Sequence, residues 1–167
     1  GRAYLRQYDS EIIKGIDLHR SIDEFTDSHP IVTQSKNRLR PKYRHYSGVI
    51  VDVFYDHFLA ANWNQFHSLP LEKFAQQAYQ TIESFDAELP AELNHMMPYM
   101  INGNWLLNYS NLEGIHRALS GMARRTPYQS KMEEAVNDLR EHHDAFKSEF
   151  MEFFPLLEVY CNDILSA

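Results

Sequence analysis

Along this chain of 167 residues the apolar side chains recur every three or four positions almost without interruption. That interval lays them along one face of an α-helix, which turns once in about 3.6 residues. Strand-like alternation is nearly absent; the best rival, Val49-Ile50-Val51, runs straight into a helical pattern. The spacing predicts helices over residues 9–28, 31–40, 46–66, 71–86, 91–108, 111–124 and 128–163. Turns are expected around Pro30, Pro41, Pro70, Pro90 and Thr126-Pro127. Ser68 and Asn111 precede early acids and read as helix caps. With only 6 Gly and 7 Pro, the chain lacks the turn residues a sandwich of hairpins needs. The expected fold is all-α, a helical bundle in a single domain over residues 1–167.

Composition removes several functions. One cysteine, Cys161, excludes an internal disulfide framework and a Cys-rich zinc site, and reads as packing rather than a nucleophile. A net charge of −7 argues against general nucleic-acid binding. No apolar run approaches the roughly 20 residues of a membrane span, and no basic-then-apolar leader opens the chain. A soluble, cytoplasmic protein is expected. Gly-x-Ser-x-Gly elbows, Gly-rich phosphate loops and dinucleotide fingerprints are all missing.

Carboxylates then stand where apolar residues are expected. His19, Asp23 and Asp27 fall within an arc of about 80° on the first helix, in line with Ile12 and Ile16. The third helix is apolar on almost every side from Val49 to Leu59, yet carries Asp52 and Asp56 four apart on one face. His57 adjoins them but points about 100° away around the axis. Ionised carboxylates in a dry interior cost several kcal/mol unless a cation or an arginine compensates. Oxygen and imidazole donors without thiols suit Mg²⁺, Mn²⁺ or Fe²⁺, and Arg20 is a nearby arginine. Alternatively, some of these acids cap helix ends or pair with Arg20, Arg38 or Arg40. On the last helix His142 and His143 share a stripe with Leu139, Phe146 and Phe150 and rank second as ligands.

Other signals are weaker. Glu92-x-x-His95 and Glu113-x-x-His116 match a di-iron bundle motif, but both sit in first turns, where the helix dipole alone favours acids. His45, His67 and His95 read as loop or surface residues. From Ser28 to Val51 there is no acid, while Lys36, Arg38, Arg40, Lys42 and Arg44 alternate. Such a strip could dock a phosphate or an acidic protein. Arg117, Arg124 and Arg125 form a second basic patch.

Two long blocks resemble the bacterial acyl carrier protein phosphodiesterases: Gly15-Ile16-x-Leu18-His19-Arg20-x-Ile22-Asp23-x-x-Thr26-Asp27, and Asp52-x-x-x-Asp56-His57-Phe58-Leu59-x-x-x-Trp63. Shorter matches are Gly121-Met122-Ala123-x-Arg125 and Leu139-x-x-His142-x-Asp144-Ala145. The resemblance implies a helical fold related to the HD-type metal phosphohydrolases. It also implies Mn²⁺- or Mg²⁺-dependent hydrolysis of the phosphodiester joining 4′-phosphopantetheine to a serine of holo acyl carrier protein. His19, Asp23, Asp27, Asp52, Asp56 and His57 are then the expected ligands or base, with His19, Arg20, Asp23 and Asp56 as catalytic residues. Lys36, Arg38, Arg40, Lys42 and Arg44 are the expected docking strip for the acidic carrier, with Arg124 and Arg125 in reserve. Family members begin with a segment resembling Asn-Phe-Leu-Ala-His and a further aspartate, so the chain is expected to be short at its front. Two other functions stay open: phosphohydrolysis of a nucleotide or small phosphoester, and carrier binding without catalysis.

Overall fold

Helix starts are set by side chains that answer unpaired backbone N–H groups. In the computed structural model, which describes residues 8–85 and 89–167, Asp9 Oδ1 accepts from the Glu11 and Ile12 amides at 3.0 Å. That cap opens α1 (Ser10–Ser28). His29 Nδ1 accepts from the Ile31 amide at 3.2 Å, and Pro30 takes the first position of α2 (Pro30–Tyr43). Asn111 caps α7 (Leu112–Arg125), its side chain accepting from the Gly114 amide at 2.8 Å. Between these lie α3 (Ser47–Ala61), α4 (Leu71–Glu83), α5 (Ala91–Asn102) and the single turn α6 (Trp105–Asn108). The chain ends in α8 (Ala135–Glu141) and α9 (His143–Leu165). The all-α expectation holds: no strand occurs among the described residues, and none of the helices is long and apolar enough to cross a membrane.

The bundle forms around α3. Ile50, Val51, Phe54 and Phe58 are almost wholly buried. They share one core with Val32, Leu39 and Tyr43 of α2, Ile115 and Leu119 of α7, Leu139 of α8, and Phe146, Phe150 and Phe153 of α9. Phe54 meets Phe146 edge-on with centroids 5.0 Å apart. Fully burying each such ring contributes roughly 1.5–3 kcal/mol. Helix α1 lies outside this core and reaches it through Phe25, stacked on Tyr160 of α9 at 4.3 Å.

The helices depart from their expected limits at several places: the one expected over 46–66 stops at Ala61, where Asn62 leaves helical geometry before a 3-10 turn at Trp63–Gln65, and α4 stops at Glu83. Helix α2 runs on through Pro41 to Tyr43. Pro41 and Asn37 are both exposed, so the Asn37 carbonyl that loses its partner faces water. The helix expected over 91–108 is split by Gly103 and by Asn104, whose φ of 46° is left-handed. The one expected over 128–163 starts later, after Lys131 at φ 62°, and breaks at His142 between α8 and α9. Pro70, rather than Ser68, precedes α4, with no side-chain cap.

A buried polar network ties α2, α3 and α9. Arg38 donates two hydrogen bonds to Glu149, at 2.6 and 2.8 Å; Ser35 Oγ donates to the same carboxylate at 2.7 Å and meets the Tyr55 hydroxyl at 2.8 Å. Both oxygens of the Glu149 carboxylate thus accept hydrogen bonds, as a charge in a core requires. On the other side, the end of α6 presses on α7 at Gly114, where a Cβ would lie 2.0 Å from the Asn108 carbonyl oxygen.

Candidate active site

One stripe of α3 stays open. Val49, Asp52 and Asp56 are exposed while the flanking Ile50, Val51, Val53, Phe54, Tyr55, His57 and Phe58 are buried. The two carboxylates therefore do not sit inside the core. They line the sole face of α3 that its neighbours leave uncovered, because positions four apart return to the same side. Water reaches one edge of each, while protein atoms strip hydration from the other. Burial pushes Asp56 up to about 7, helped by Asp52; it pushes Asp52 up to about 6, helped by Asp27 and Asp23 and opposed by Lys36.

Of the six expected ligands, Asp52 and Asp56 are brought together, and Asp23 and Asp27 come near enough to act on Asp52. Helix α1 carries no buried residue, so its acids are solvated rather than embedded. His19 Nδ1 lies 3.4 Å from Asp23 Oδ2, both side chains well exposed. Arg20 is exposed and has no carboxylate partner among the described residues. His57 goes elsewhere: it is 5% exposed, and its Nδ1–H donates to the Tyr109 carbonyl at 2.8 Å. Burial holds its pKa below the usual histidine value, with the nearby His143 adding to the effect. His143 packs edge-on to Phe58 and lies 3.5 Å from Asp144, and His142 sits against Phe146 beside Glu141. Both histidines thus serve the α8–α9 break. Among the described residues no three His, Cys, Asp or Glu side chains converge closely enough to hold a metal ion.

A groove of about 480 Å³ opens beside Asp56. Leu59, Trp63, Phe66, Phe74, Leu106 and Phe154 form its apolar walls, and Trp63 is anchored by its Nε1–H donating to the Leu69 carbonyl at 2.8 Å. The size matches a small-ligand pocket. Apart from Leu59 and Trp63, which stand in the second sequence block, these walls come from four other segments. No local pattern links them. Tyr109, whose phenol is raised above its usual pKa by burial and by Asp56, was also invisible in sequence; only its place before the cap Asn111 hints at a turn. Cys161 is half-buried with its thiol pushed up by burial and by Glu158, as a packing residue would be.

The expected docking strip is largely used up inside the molecule. Arg38 is committed to Glu149. Lys36 donates to the Asp27 carbonyl at 3.1 Å, with the Asp27 carboxylate at 3.6 Å. Lys42 lies 2.8 Å from Glu134, and Tyr43 donates to Asp138. Among the described residues only Arg40 and Arg44 of the strip remain without a carboxylate, because the strip is helical and two of its faces meet α1, α8 and α9. Arg124 and Arg125, exposed at the end of α7, are both unpaired among the described residues.

The sequence as a whole matches the acyl carrier protein phosphodiesterase family over residues 1–157. It is 33% identical over 153 residues to the acyl carrier protein phosphodiesterase of Enterobacter sp. (strain 638), covering 91% of this chain and 79% of that protein. The corresponding protein of Photorhabdus laumondii is 32% identical over 154 residues, covering 90% of this chain and 77% of its own length. That of Klebsiella pneumoniae (strain 342) is 34% identical over 149 residues, covering 89% and 77%. No solved structure matches the chain. The exposed aspartate stripe, its groove and this match over most of the sequence lead to one conclusion: the chain belongs to the acyl carrier protein phosphodiesterase family.

Proposed function

We propose that this protein hydrolyses the phosphodiester between 4′-phosphopantetheine and a serine of holo acyl carrier protein, releasing the apo carrier and free 4′-phosphopantetheine. The observation that carries it is the Asp52–Asp56 stripe at the mouth of the apolar groove. A phosphodiester is an anion, and two carboxylates would repel it. Burial leaves both carboxyls above their usual range, and Lys36 offsets this only in part at Asp52. The donor chemistry fits a hard divalent ion, Mn²⁺ or Mg²⁺, with Fe²⁺ as a third candidate. Mg²⁺ in particular is commonly held by one or two carboxylates, waters and substrate phosphate, which needs no cage of three protein ligands. Asp52 and Asp56 would hold it, with Asp23 and Asp27 contributing charge from α1. Such an ion neutralises phosphoryl oxygens and acidifies bound water.

The remaining work belongs to the chain itself. The groove beside Asp56 takes the flexible, largely uncharged pantetheine arm and fixes the ester at its mouth. Asp56 lies at the mouth of the groove, where its second carboxylate oxygen takes a proton from the attacking water. Arg20, without a carboxylate partner among the described residues, offsets charge on the phosphoryl oxygens.

The test is direct. Protein treated with chelator and then supplied with Mn²⁺ or Mg²⁺ is mixed with holo carrier, and 4′-phosphopantetheine is followed by mass spectrometry. Release is expected with metal and not with chelator, and Asp56→Asn should lower it by about 100-fold or more. Calorimetric titration of Mn²⁺ should show binding that Asp52→Asn and Asp56→Asn weaken. No product with any divalent metal would sink the reading. Turnover of a nucleotide or other small phosphoester, with holo carrier untouched, would move the substrate.

A further inference from the structure

Three arginines of α7 face a second cavity, about 240 Å³, between that helix and the α5–α6 turn. Its lining includes Trp105 and Tyr109 on one side and Arg117, Gly121, Arg124 and Arg125 on the other. Positions 117, 121 and 124 share one helix face, being spaced by four and three, and 125 stands at its edge one residue on. Gly121 has no side chain to separate them: a Cβ there would lie 3.6 Å from Arg125 Nη1 and 3.8 Å from Arg124 Nη2. Both guanidinium groups therefore gather over an open floor. Among the described residues none of the three arginines has a carboxylate partner, in a chain whose net charge is −7. Lys36, Arg38 and Lys42 all do. The helix dipole favours cations in the last turn, which accounts for the sign of Arg124 and Arg125. It accounts neither for Arg117, two turns earlier, nor for the indole and phenol facing them.

From these observations we infer that the Arg117–Arg124–Arg125 cavity docks an acidic surface of the protein substrate, its carboxylates received by the guanidinium groups and an apolar residue seated against Trp105. The inference rests on the reading of the protein as a phosphodiesterase acting on a carrier protein. Two things favour a protein over a small anion. Arginine beside tryptophan and tyrosine is the composition of a protein interface centre. The cavity also adjoins the reactive stripe, because Tyr109 lines it while its phenol feels the charge of Asp56 and its carbonyl holds His57. A carrier bound here presents its modified serine toward Asp52 and Asp56, with the arm running on into the apolar groove. The docking surface thus moves from α2 to α7.

The experiment compares full-length protein with Arg124→Glu/Arg125→Glu and, in case reversal perturbs the helix, with Arg117→Gln/Arg124→Gln. KM for holo carrier should rise on the order of tenfold, with kcat changed by less than about twofold, and KM should lose much of its dependence on salt. Lys14→Glu, which changes the surface charge by as much as the glutamine pair does, serves as the control and should leave KM in place. Binding of holo carrier to Asp56→Asn protein is titrated in parallel and should weaken with the arginine changes; this reads docking even where turnover fails. Wild-type turnover with KM and binding unmoved by either arginine variant overturns the inference and leaves the proposed reaction standing. Binding that depends on the arginines without any turnover keeps the docking surface and removes the reaction. Inorganic phosphate that binds through these arginines while carrier binding is unaffected assigns the cavity to a small anion and also overturns the inference.

Discussion

Asp52 and Asp56 show how far a residue's chemistry departs from its sequence context. Their spacing along α3 put them on one face; only their neighbours decided that the face is open to water. In the folded protein they hold protons up to about pH 6 and 7, whereas in the unfolded chain carboxylates release them near 4. The fold therefore binds more protons than the unfolded chain between these limits. The stability these groups lend is complete below about pH 4 and is lost as pH rises through 6 and 7. In chelator, Asp56→Asn should raise the melting temperature at pH 8, with the gain shrinking toward pH 5. A difference of the same size at both pH values would assign the effect to packing instead of charge. His57 is the opposite lesson. Adjacent to Asp56 in sequence, it was grouped with the aspartates, yet one residue is 100° of helix rotation, and that rotation carries it to Tyr109.

Among the elements, α2 carries the clearest change of meaning. Read along the chain, Lys36, Arg38, Arg40, Lys42 and Arg44 form a basic strip. Wound into a helix against α9, the strip divides, and Arg38 becomes half of a buried ion pair with Glu149. Removing one partner of such a pair strands the other charge and costs roughly 3–5 kcal/mol. Arg38→Ala should accordingly lower stability by about that amount in urea unfolding, before any effect on substrate is measured. A loss under about 1 kcal/mol would show that water already compensates Glu149. Charge reversal across Arg38, Arg40 and Arg44 is for the same reason a poor probe of docking: it breaks the core network first. The fold elements themselves were legible. Seven helices were expected from periodicity, and their cores all exist. Ends went astray where a break depends on a left-handed residue, Asn104 or Lys131, that is not a glycine, or where an exposed proline lets a helix continue.

At the scale of the whole molecule, two cavities flank the Asp52–Asp56 stripe: the apolar groove on the α4 and α9 side, and the arginine cavity on α7. If the groove seats the pantetheine arm, filling it should tell. Ala60→Phe, on the groove wall, should raise KM for holo carrier about tenfold or more, since even single methylenes in an apolar pocket shift recognition that far. An unchanged KM would place the arm elsewhere. The sequence by itself determined the helical class and the family, and it put Asp52 and Asp56 on one helix face among six candidate site residues. These follow from spacing along one helix and from motifs within one element, which a linear pattern records. Tertiary structure alone decided which charges are free. Whether a lysine or arginine is available depends on carboxylates over a hundred positions away, as Glu149 is from Arg38, and on whether a helix face meets a neighbour or water. Packing made the α2 strip structural and left the α7 arginines open, and no reading of intervals along a chain contains that information.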